Sequence, residues 1–438
     1  MKKNYLLGMA LMASLSFYSC DKEVVYVQDG NGVESVTDGA QIITLQVENG
    51  GDGLATRAGR PLYSAEAKQD IQNVKLWICD NTDKVVYVKE ISNWNTDGST
   101  VYTTGGHGRQ TTIELKDADK LAAGSYKVYA VGYSNSSDYV LTDVTNVAED
   151  GIFSENMVLP CSTVGEEIFA GQMNLTVETG KGFKKPVVLN RQVAGAFAYV
   201  KDIPFMEGAK YLKLVASAQN QSLVLGKFNS VDLTGNGSDN GDNVKYVVNG
   251  ENGKSGSDTY VISTIDLNQW FTEIKDTDSD NLVDVTSWKN PYSSIGEGHP
   301  TFQKGSVFGG EFVIPFAHVA EKQTLTLQLT NEGGTVLRSW KVNLSSSDEQ
   351  LAQTITCWNS VSTDWSTEVT GESANIYSLV RNHLYGIGTR TNDDPGEGTD
   401  PEPDPSDPDD QPESLNNKQE LVLKVNDNWE VIHGMELE

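Results

Sequence analysis

Residues 421–438 read Leu-Val-Leu-Lys-Val-Asn-Asp-Asn-Trp-Glu-Val-Ile-His-Gly-Met-Glu-Leu-Glu. Apolar side chains recur at the odd positions Leu421, Leu423, Val425, Trp429, Val431, Met435 and Leu437. Successive side chains of a β-strand point to opposite faces, so the alternation predicts a strand with one face buried and one wet. At about 3.3 Å per residue the stretch spans roughly 60 Å, beyond the usual strand of about 5–6 residues. It therefore predicts service in more than one sheet position. The segment before it, Arg390 to Glu413, carries ten acidic residues against one arginine, interleaved with proline and glycine. Such a run cannot pack a core and is expected to stay extended by self-repulsion and proline stiffness. A strand-forming tail on a solvated arm predicts contact with another molecule. The alternative is a strand that folds back into its own fold, which the arm is long enough to permit.

The rest of the chain repeats the strand pattern. Ile43, Leu45 and Val47 alternate within Ile42 to Glu48. Short β-branched or aromatic runs follow at Val74 to Cys79, Val85 to Val88, Thr112 to Leu115, Ser125 to Tyr133, Met173 to Val177 and Val187 to Leu189. One short helix, Ala65 to Ile71 capped by Ser64, interrupts them. Arg191 to Val200 is alanine-rich but alternates, and the turn at Asp202 to Pro204 favours a strand opening a second domain. Strands are then expected at Tyr211 to Val215, Ser222 to Leu225, Tyr246 to Val248, Tyr260 to Ile262, Glu311 to Ile314, Thr324 to Leu329, Val336 to Val342 and Tyr377 to Ile387. Asn-Gly pairs such as Asn236-Gly237 and Asn249-Gly250 punctuate them, where positive φ is cheap. Many short strands separated by turn signals predict all-β sandwiches, and 438 residues hold two of ordinary size.

Lys2 and Lys3 precede an apolar stretch from Tyr5 to Phe17, the pattern of a secretion signal. Leu15-Ser16-Phe17-Tyr18-Ser19-Cys20 then places Cys20 where a bacterial lipoprotein signal ends, with Phe17 where leucine is usual. Cys20 is thus the expected lipidation site and new N-terminus. Cys79, Cys161 and Cys357 are widely spaced, without CxxC pairing or histidine companions; at most one bridge can form among them, and buried thiols are the plainer reading. The net charge of −28 and the lack of a basic stripe argue against a nucleic-acid partner.

Chemistry is sparse. His107, His299, His318, His383 and His433 are scattered, and neither HExxH, GxSxG nor a P-loop occurs. No catalytic residue and no cofactor is nominated, and the chain is read as a non-enzyme. Asp276, Asp278, Asp280 and Asp284 resemble the start of a calcium loop, but the sixth-place glycine and the closing bidentate glutamate are missing. A solvated acidic loop is the preferred account. Trp77, Trp94, Trp288, Trp358 and Trp365 offer a different function, as sugar platforms of a glycan-binding surface lipoprotein, although aromatics serve more often as core.

The two isolated alternating strands near the ends suggest a coupled role. Ala55-Thr56-Arg57-Ala58-Gly59-Arg60-Pro61 is small, flexible and open to proteolysis, and Pro61 disfavours cleavage after Arg60. Cleavage after Arg57 removes the first strand with its lipid and leaves an unpaired edge and an apolar groove. Such an edge recruits another strand. If that strand is the tail of another copy, the contact is head-to-tail, does not close, and builds a filament.

These features together resemble the fimbrillins of Bacteroidales type V pili, the major and minor fimbrium shaft proteins. The resemblance runs through Ser19-Cys20-Asp21-Lys22, Ile42 to Val47, Thr56-Arg57, Val74 to Ile78, Gly124 to Val131, Arg191 to Val200, Val380 to Tyr385, and Val425 to Val431 around Trp429. It implies two tandem transthyretin-like β-sandwiches in a lipoprotein precursor, matured by an arginine-specific protease and polymerised by donor-strand exchange. On that pattern residues 1–19 are the signal peptide, 20–57 a propeptide with the removable strand (Ile43, Leu45, Val47), and 58–189 and 190–389 the two sandwiches. Residues 390–414 are the acidic tether and 415–438 the donor strand, anchored by Leu421, Leu423, Val425, Trp429, Val431, Met435 and Leu437. Cys20 carries the lipid (diacylglycerol with palmitate) and Arg57 is the scissile residue. The implied partners are other copies and related pilus subunits, the protease, and the outer membrane through the precursor's lipid. The implied location is a surface fimbria, in a shaft role, with anchor or tip subunit as alternatives.

Overall fold

A computed structural model of the chain describes residues 26–28, 34–36, 39–48, 71–102, 108–161, 166–227, 247–251, 254–295, 299–316, 325–344, 354–369, 379–390, 404–416 and 418–426. The architecture is all-β, as the alternating pattern predicts; the helices among the described residues are one-turn α-helices at Thr142–Thr145 and Leu267–Trp270 and 3-10 turns at Asp117–Asp119, Val285–Ser287 and Ser293–Ile295. No helix of these residues is long and apolar enough to cross a membrane.

The first sandwich is one strand path folded over itself. Its order is Val85–Ser92, Asn73–Cys79, Gly124–Tyr133, Phe169–Val177, Phe183–Arg191, Gln41–Glu48, Gly108–Leu115 and Thr100–Tyr102. The corner lies at Phe183–Arg191. Its C-terminal end pairs with Phe169 and Ala170, while the rest of it turns away to pair with Gln41–Glu48. A strand that changes partners along its length is how one path makes two facing layers. Ile43, Leu45, Leu76, Ile78, Val128, Leu175, Val187 and Leu189 fill the space between them.

The second sheet runs Lys254–Asp266, Ala209–Gln219, Leu325–Asn331, Val336–Leu344, Glu420–Asn426, Leu384–Ile387, Ala194–Lys201 and Val307–Val313. Its core is aromatic: Tyr199, Trp270, Phe302, Phe308 and Trp340 are all buried in one cluster with Leu327, Leu384 and Leu421. The rings of Trp270 and Phe302 meet edge-on at 5.0 Å, the arrangement that aligns ring edge with ring face.

The two units are joined by more than the short link from Arg191 to Ala194. Val158–Pro160 pairs antiparallel with Ser222–Val224, and Trp77, Tyr129 and Phe153 share a buried cluster with Val193, Leu223, Leu225 and Ile314. Arg381 is sealed into this junction. Its guanidinium donates to Gln192 Oε1 at 3.0 Å and to the Gly226 carbonyl at 2.8 Å, and burial lowers its pKa to about 9. A hairpin, Thr354–Asn359 with Asp364–Val369, reaches the same region, where Trp365 Nε1 donates to Asn156 Oδ1 at 3.0 Å.

Several expectations shift. Tyr377 to Ile387 is not one strand: the described part is a bridge at Leu379, a turn through Asn382 at φ 57, and a strand only from Leu384. Asn249-Gly250 is not a hairpin turn. Asn249 is buried, donating to the Gln192 carbonyl, and Gly250 pairs with Leu223. The short helix placed at Ala65 to Ile71 lies outside the described residues except for Ile71, which is buried in the first core.

The side chain of Glu311, opposite Ala196 in the ladder, makes no hydrogen bond or ion pair among the described residues, and burial alone pushes its carboxyl up to about 7 from 4.5. The neutral acid is the form the fold accepts. Its contribution is therefore complete below about pH 4.5 and lost as pH rises through about 7. Glu311→Gln is expected to raise thermal stability at pH 8, by on the order of 3 kcal/mol at most, and to change little at pH 4. Melting curves at the two pH values check this; an equal gain at both contradicts it.

Candidate strand-exchange site

The leading strand, Gln41–Glu48, is interior to its sheet. It runs parallel to Phe183–Arg191, in register from Phe183↔Gln41 to Leu189↔Val47, and antiparallel to Gly108–Leu115, from Gln41↔Leu115 to Glu48↔Gly108. Those two flanking strands do not pair with each other, so the leading strand alone bonds them into one sheet. Ile43, Leu45 and Val47 point inward and are wholly buried, against a wall that includes Trp94, Ile113, Leu115, Phe183, Val187 and Leu189. Burying three such side chains contributes about 5–9 kcal/mol before ordering costs are charged against it.

Polar groups fix both ends of this slot. At the entrance the Gln41 side-chain amide closes a two-way clamp on one backbone residue: Nε2 donates to the Leu121 carbonyl at 3.0 Å and Oε1 accepts from the Leu121 N–H at 2.7 Å. Beside it the backbone at Gly182 passes so near the Ala40 carbonyl, which accepts from Phe183 N–H at 2.8 Å, that any Cβ there would lie 2.0 Å from that oxygen. At the far end Arg109, opposite Val47, is buried with its guanidinium spent on the turn before it. It donates to the carbonyls of Trp94 (3.1 Å), Thr96 (2.9 Å) and Ser99 (3.0 Å) and to Ser99 Oγ (2.8 Å). This holds Trp94 down as the end wall. One group is out of keeping: Thr44 is buried and its hydroxyl finds no hydrogen-bond partner among the described residues. A buried hydroxyl without a partner costs about 1–3 kcal/mol.

The second sheet is completed in the same manner by the other end of the chain. The closing strand, Glu420–Asn426, runs parallel to Val336–Leu344, from Lys341↔Glu420 to Leu344↔Leu423, and antiparallel to Leu384–Ile387, from Leu384↔Asn426 to Ile387↔Leu423. Leu421 and Leu423 are buried with Trp340, Val342, Ile387 and Leu415. In this uncleaved chain the front of the tail thus occupies the groove of its own sandwich, the fold-back seat that the alternation also allows. The apolar alternation that marks a donor also fits the home groove. Val425 is in register with Tyr385, while Trp429, Val431, Met435 and Leu437 lie outside the described residues.

The tether is corrected. Its two ends are packed rather than solvated: Thr389–Arg390 pairs with Asp410–Gln411, and Glu413–Ser414 pairs with Val200–Lys201. Arg390 and Asp410 form a buried ion pair at 3.0 Å, with the guanidinium 4.1 Å over the Phe302 ring. Gln303 Nε2 donates to the Asp410 carbonyl at 2.5 Å. Burial, then the Asp410 carboxylate, hold the Tyr199 hydroxyl well above its ordinary pKa. Leu415, just beyond, is wholly buried. A count of like charges missed this because one arginine at the base of the arm captures one particular aspartate. Residues 391–403 lie outside the described residues.

Cys20 and Arg57 also lie outside the described residues. Cys79, Cys161 and Cys357 are all buried, and the Cys79 thiol is pushed up to about 12 by burial and the nearby Asp83 and Asp80. Asp276, Asp278 and Asp284 each bring one oxygen within 4.8 Å of the others, whereas Asp280 is not in the group. Asp276 accepts from the N–H groups of Ser279 and Asn281, and Asp284 from Thr277 N–H and Oγ1, so these carboxylates cap their own turn. Of the tryptophans suggested as sugar platforms, Trp77 and Trp94 are wholly buried. Trp358 and Trp365 pair edge-on at 5.3 Å across the hairpin.

No protein-family model and no curated protein matches the chain. Solved structures similar to it include a fimbrial assembly protein from Parabacteroides distasonis, at 14% identity over 77% of this chain and 98% of that one, TM-score 0.36. The fimbrial anchor protein Mfa2 from Porphyromonas gingivalis is similar at 9% identity over 78% and 99%, TM-score 0.29. The tip fimbrial protein Mfa3 from the same organism, with a C-terminal truncation, is similar at 11% over 79% and 93%, TM-score 0.36.

Two expectations follow from the slot and the tether. In the uncleaved chain, Thr44→Val is expected to stabilise the first sandwich by about 1 kcal/mol, and Leu45→Ala to destabilise it by about 2–5 kcal/mol. Urea titration measures both, and a Thr44→Val chain that unfolds earlier than the parent contradicts the assignment of an unsatisfied hydroxyl. Asp410→Ala leaves a buried guanidinium without its carboxylate and is expected to cost about 3–5 kcal/mol in the second sandwich. A loss within 0.5 kcal/mol would show that the arm is not held there.

Proposed function

We propose that the chain is the precursor of a structural subunit of a surface fimbria, built by donor-strand exchange between copies. The observation that carries this reading is the position of the leading strand. It is an interior strand of its sheet, yet it joins the rest of the sandwich in sequence only through residues 49–70, which contain Arg57. One cut in that connector turns a covalent part of the fold into a bound peptide. Its departure opens a slot with two unpaired backbone edges and three apolar pockets, the combination that binds an extended strand.

The rest of the proposal rests on the fimbrillin resemblance. Cys20 carries the lipid that holds the precursor at the outer membrane, and an arginine-specific protease cleaves after Arg57. The lipidated strand leaves, and the tail of a second copy enters the slot. The closed arrangement, with the closing strand in its home sheet, is then the unassembled state. Because donor and acceptor lie on different surfaces of each copy, the contact is heterologous and extends into a shaft. Related subunits with one such surface each would end it.

Exposing the full chain to an arginine-specific endopeptidase tests this. The cleaved protein is expected to form ladders that survive mild detergent and to begin at Ala58, while Arg57→Ala stays monomeric. Deleting residues 419–438 is expected to abolish ladders without preventing cleavage. Ladders formed by the Arg57→Ala chain, or by the truncated one, overturn the reading.

A further inference from the structure

The leading and closing strands share more than an alternating pattern. Gln41-Ile42-Ile43-Thr44-Leu45-Gln46-Val47 and Gln419-Glu420-Leu421-Val422-Leu423-Lys424-Val425 have the same plan: glutamine, then aliphatic residues two, four and six positions later. Each lies between one parallel and one antiparallel neighbour, so the two seats have the same polarity. We propose that the closing strand has a second seat of defined register, in the leading-strand slot of another copy. There Gln419, Leu421, Leu423 and Val425 take the places of Gln41, Ile43, Leu45 and Val47, and Gln419 takes over the clamp on the backbone of Leu121. The inference rests on the strand-exchange reading above and adds to it the register and the residues that set it.

Three observations fix the register. Side-chain period in a strand is two, so only even shifts keep apolar residues in the pockets. Within residues 419–438 the triple of aliphatic residues at i, i+2 and i+4 occurs only at Leu421, Leu423 and Val425. A shift of two in one direction puts Asp427 in the Val47 pocket, and in the other it puts Gln419 in the Ile43 pocket. Either buries a polar group among Trp94, Ile113, Leu189 and their neighbours.

The same register explains why the tail prefers the second seat. A strand moves between two sites only by virtue of contacts that differ between them. In its home sheet Gln419 is exposed and its side-chain amide makes no hydrogen bond among the described residues, whereas the Gln41 position offers both a donor and an acceptor on Leu121. At home the described part of the strand is in parallel register only from Glu420 to Leu423 and in antiparallel register only from Leu423 to Asn426. The leading-strand slot pairs one strand on both sides along nearly its whole length. Finally, Val422 falls at the Thr44 position and fills with methyl groups the space where a hydroxyl is buried without a partner. The leading strand is thus seated with a flaw that the incoming strand lacks.

Cysteine trapping in the cleaved full chain tests the register. In it, Lys424 takes the place of Gln46, which faces Gln110. A Lys424→Cys chain and a Gln110→Cys chain, mixed, cleaved after Arg57 and oxidised, are expected to give a disulfide-linked dimer, while Lys424→Cys with Thr112→Cys gives none. Each variant must first form ladders under reducing conditions, which shows that it folds and exchanges. Ladders with the cross-link at residue 112, or with no cross-link at either position, overturn the register and leave strand exchange standing. Absence of protease-dependent ladders in the parent chain overturns the underlying reading instead. Gln419→Ala is expected to leave the uncleaved chain unchanged and to speed ladder dissociation about tenfold, the effect of two hydrogen bonds. Thr44→Val is expected to slow ladder formation by retaining the leading strand longer. An unchanged dissociation rate in Gln419→Ala contradicts the clamp.

Discussion

In each sandwich, one strand that belongs to a chain end is inserted between a parallel and an antiparallel neighbour that do not pair with each other. Gln41–Glu48 plays this part in the first sheet and Glu420–Asn426 in the second. A parallel neighbour cannot be reached by a tight turn, so such a strand must come from far away in sequence or from another molecule. The fold accordingly has two positions where an interior strand is joined to its sheet neighbours by hydrogen bonds rather than by short connections.

The two seats are not equally well made. The first offers full-length pairing, three closed pockets, an amide clamp at Leu121 and an end wall held by Arg109. Yet its resident strand brings a threonine to a position that suits an aliphatic side chain. The second grips its strand over a staggered register and is backed by the Arg390–Asp410 pair upstream. A resident that fits slightly less well than its replacement is what an exchange reaction needs, because the replacement must gain more than the resident loses. Between the two seats lie the hydrogen-bonded junction around Arg381 and the shared cluster of Trp77, Phe153, Leu225 and Ile314.

Much of this was legible in the sequence. The odd-position runs at Ile43 to Val47 and Leu421 to Leu423 marked the inward faces, since burial and period two leave little choice once a strand forms. The all-β class followed from the same periodicity along the rest of the chain. What the sequence withheld was partnership. The alternation of Leu421 and Leu423 is identical for a home groove and a neighbour's groove, so it could not place the tail. The acidic arm read as solvated because ten carboxylates dominate any composition, while the buried Arg390–Asp410 pair depends on one residue of each sign meeting over Phe302. Trp358 and Trp365, offered as sugar platforms by the sequence, flank the six residues Asn359 to Asp364 and face each other across a hairpin.

The most direct measurement is the structure of the assembled filament by electron cryomicroscopy, at a resolution that identifies side chains. The account predicts that the strand between Gly108–Leu115 and Phe183–Arg191 is residues 419–425 of an adjacent copy, with residues 41–48 gone and Gln419 against Leu121. Density showing residues 41–48 still in that slot, with residues 420–426 still between Val336–Leu344 and Leu384–Ile387 of their own chain, would contradict it.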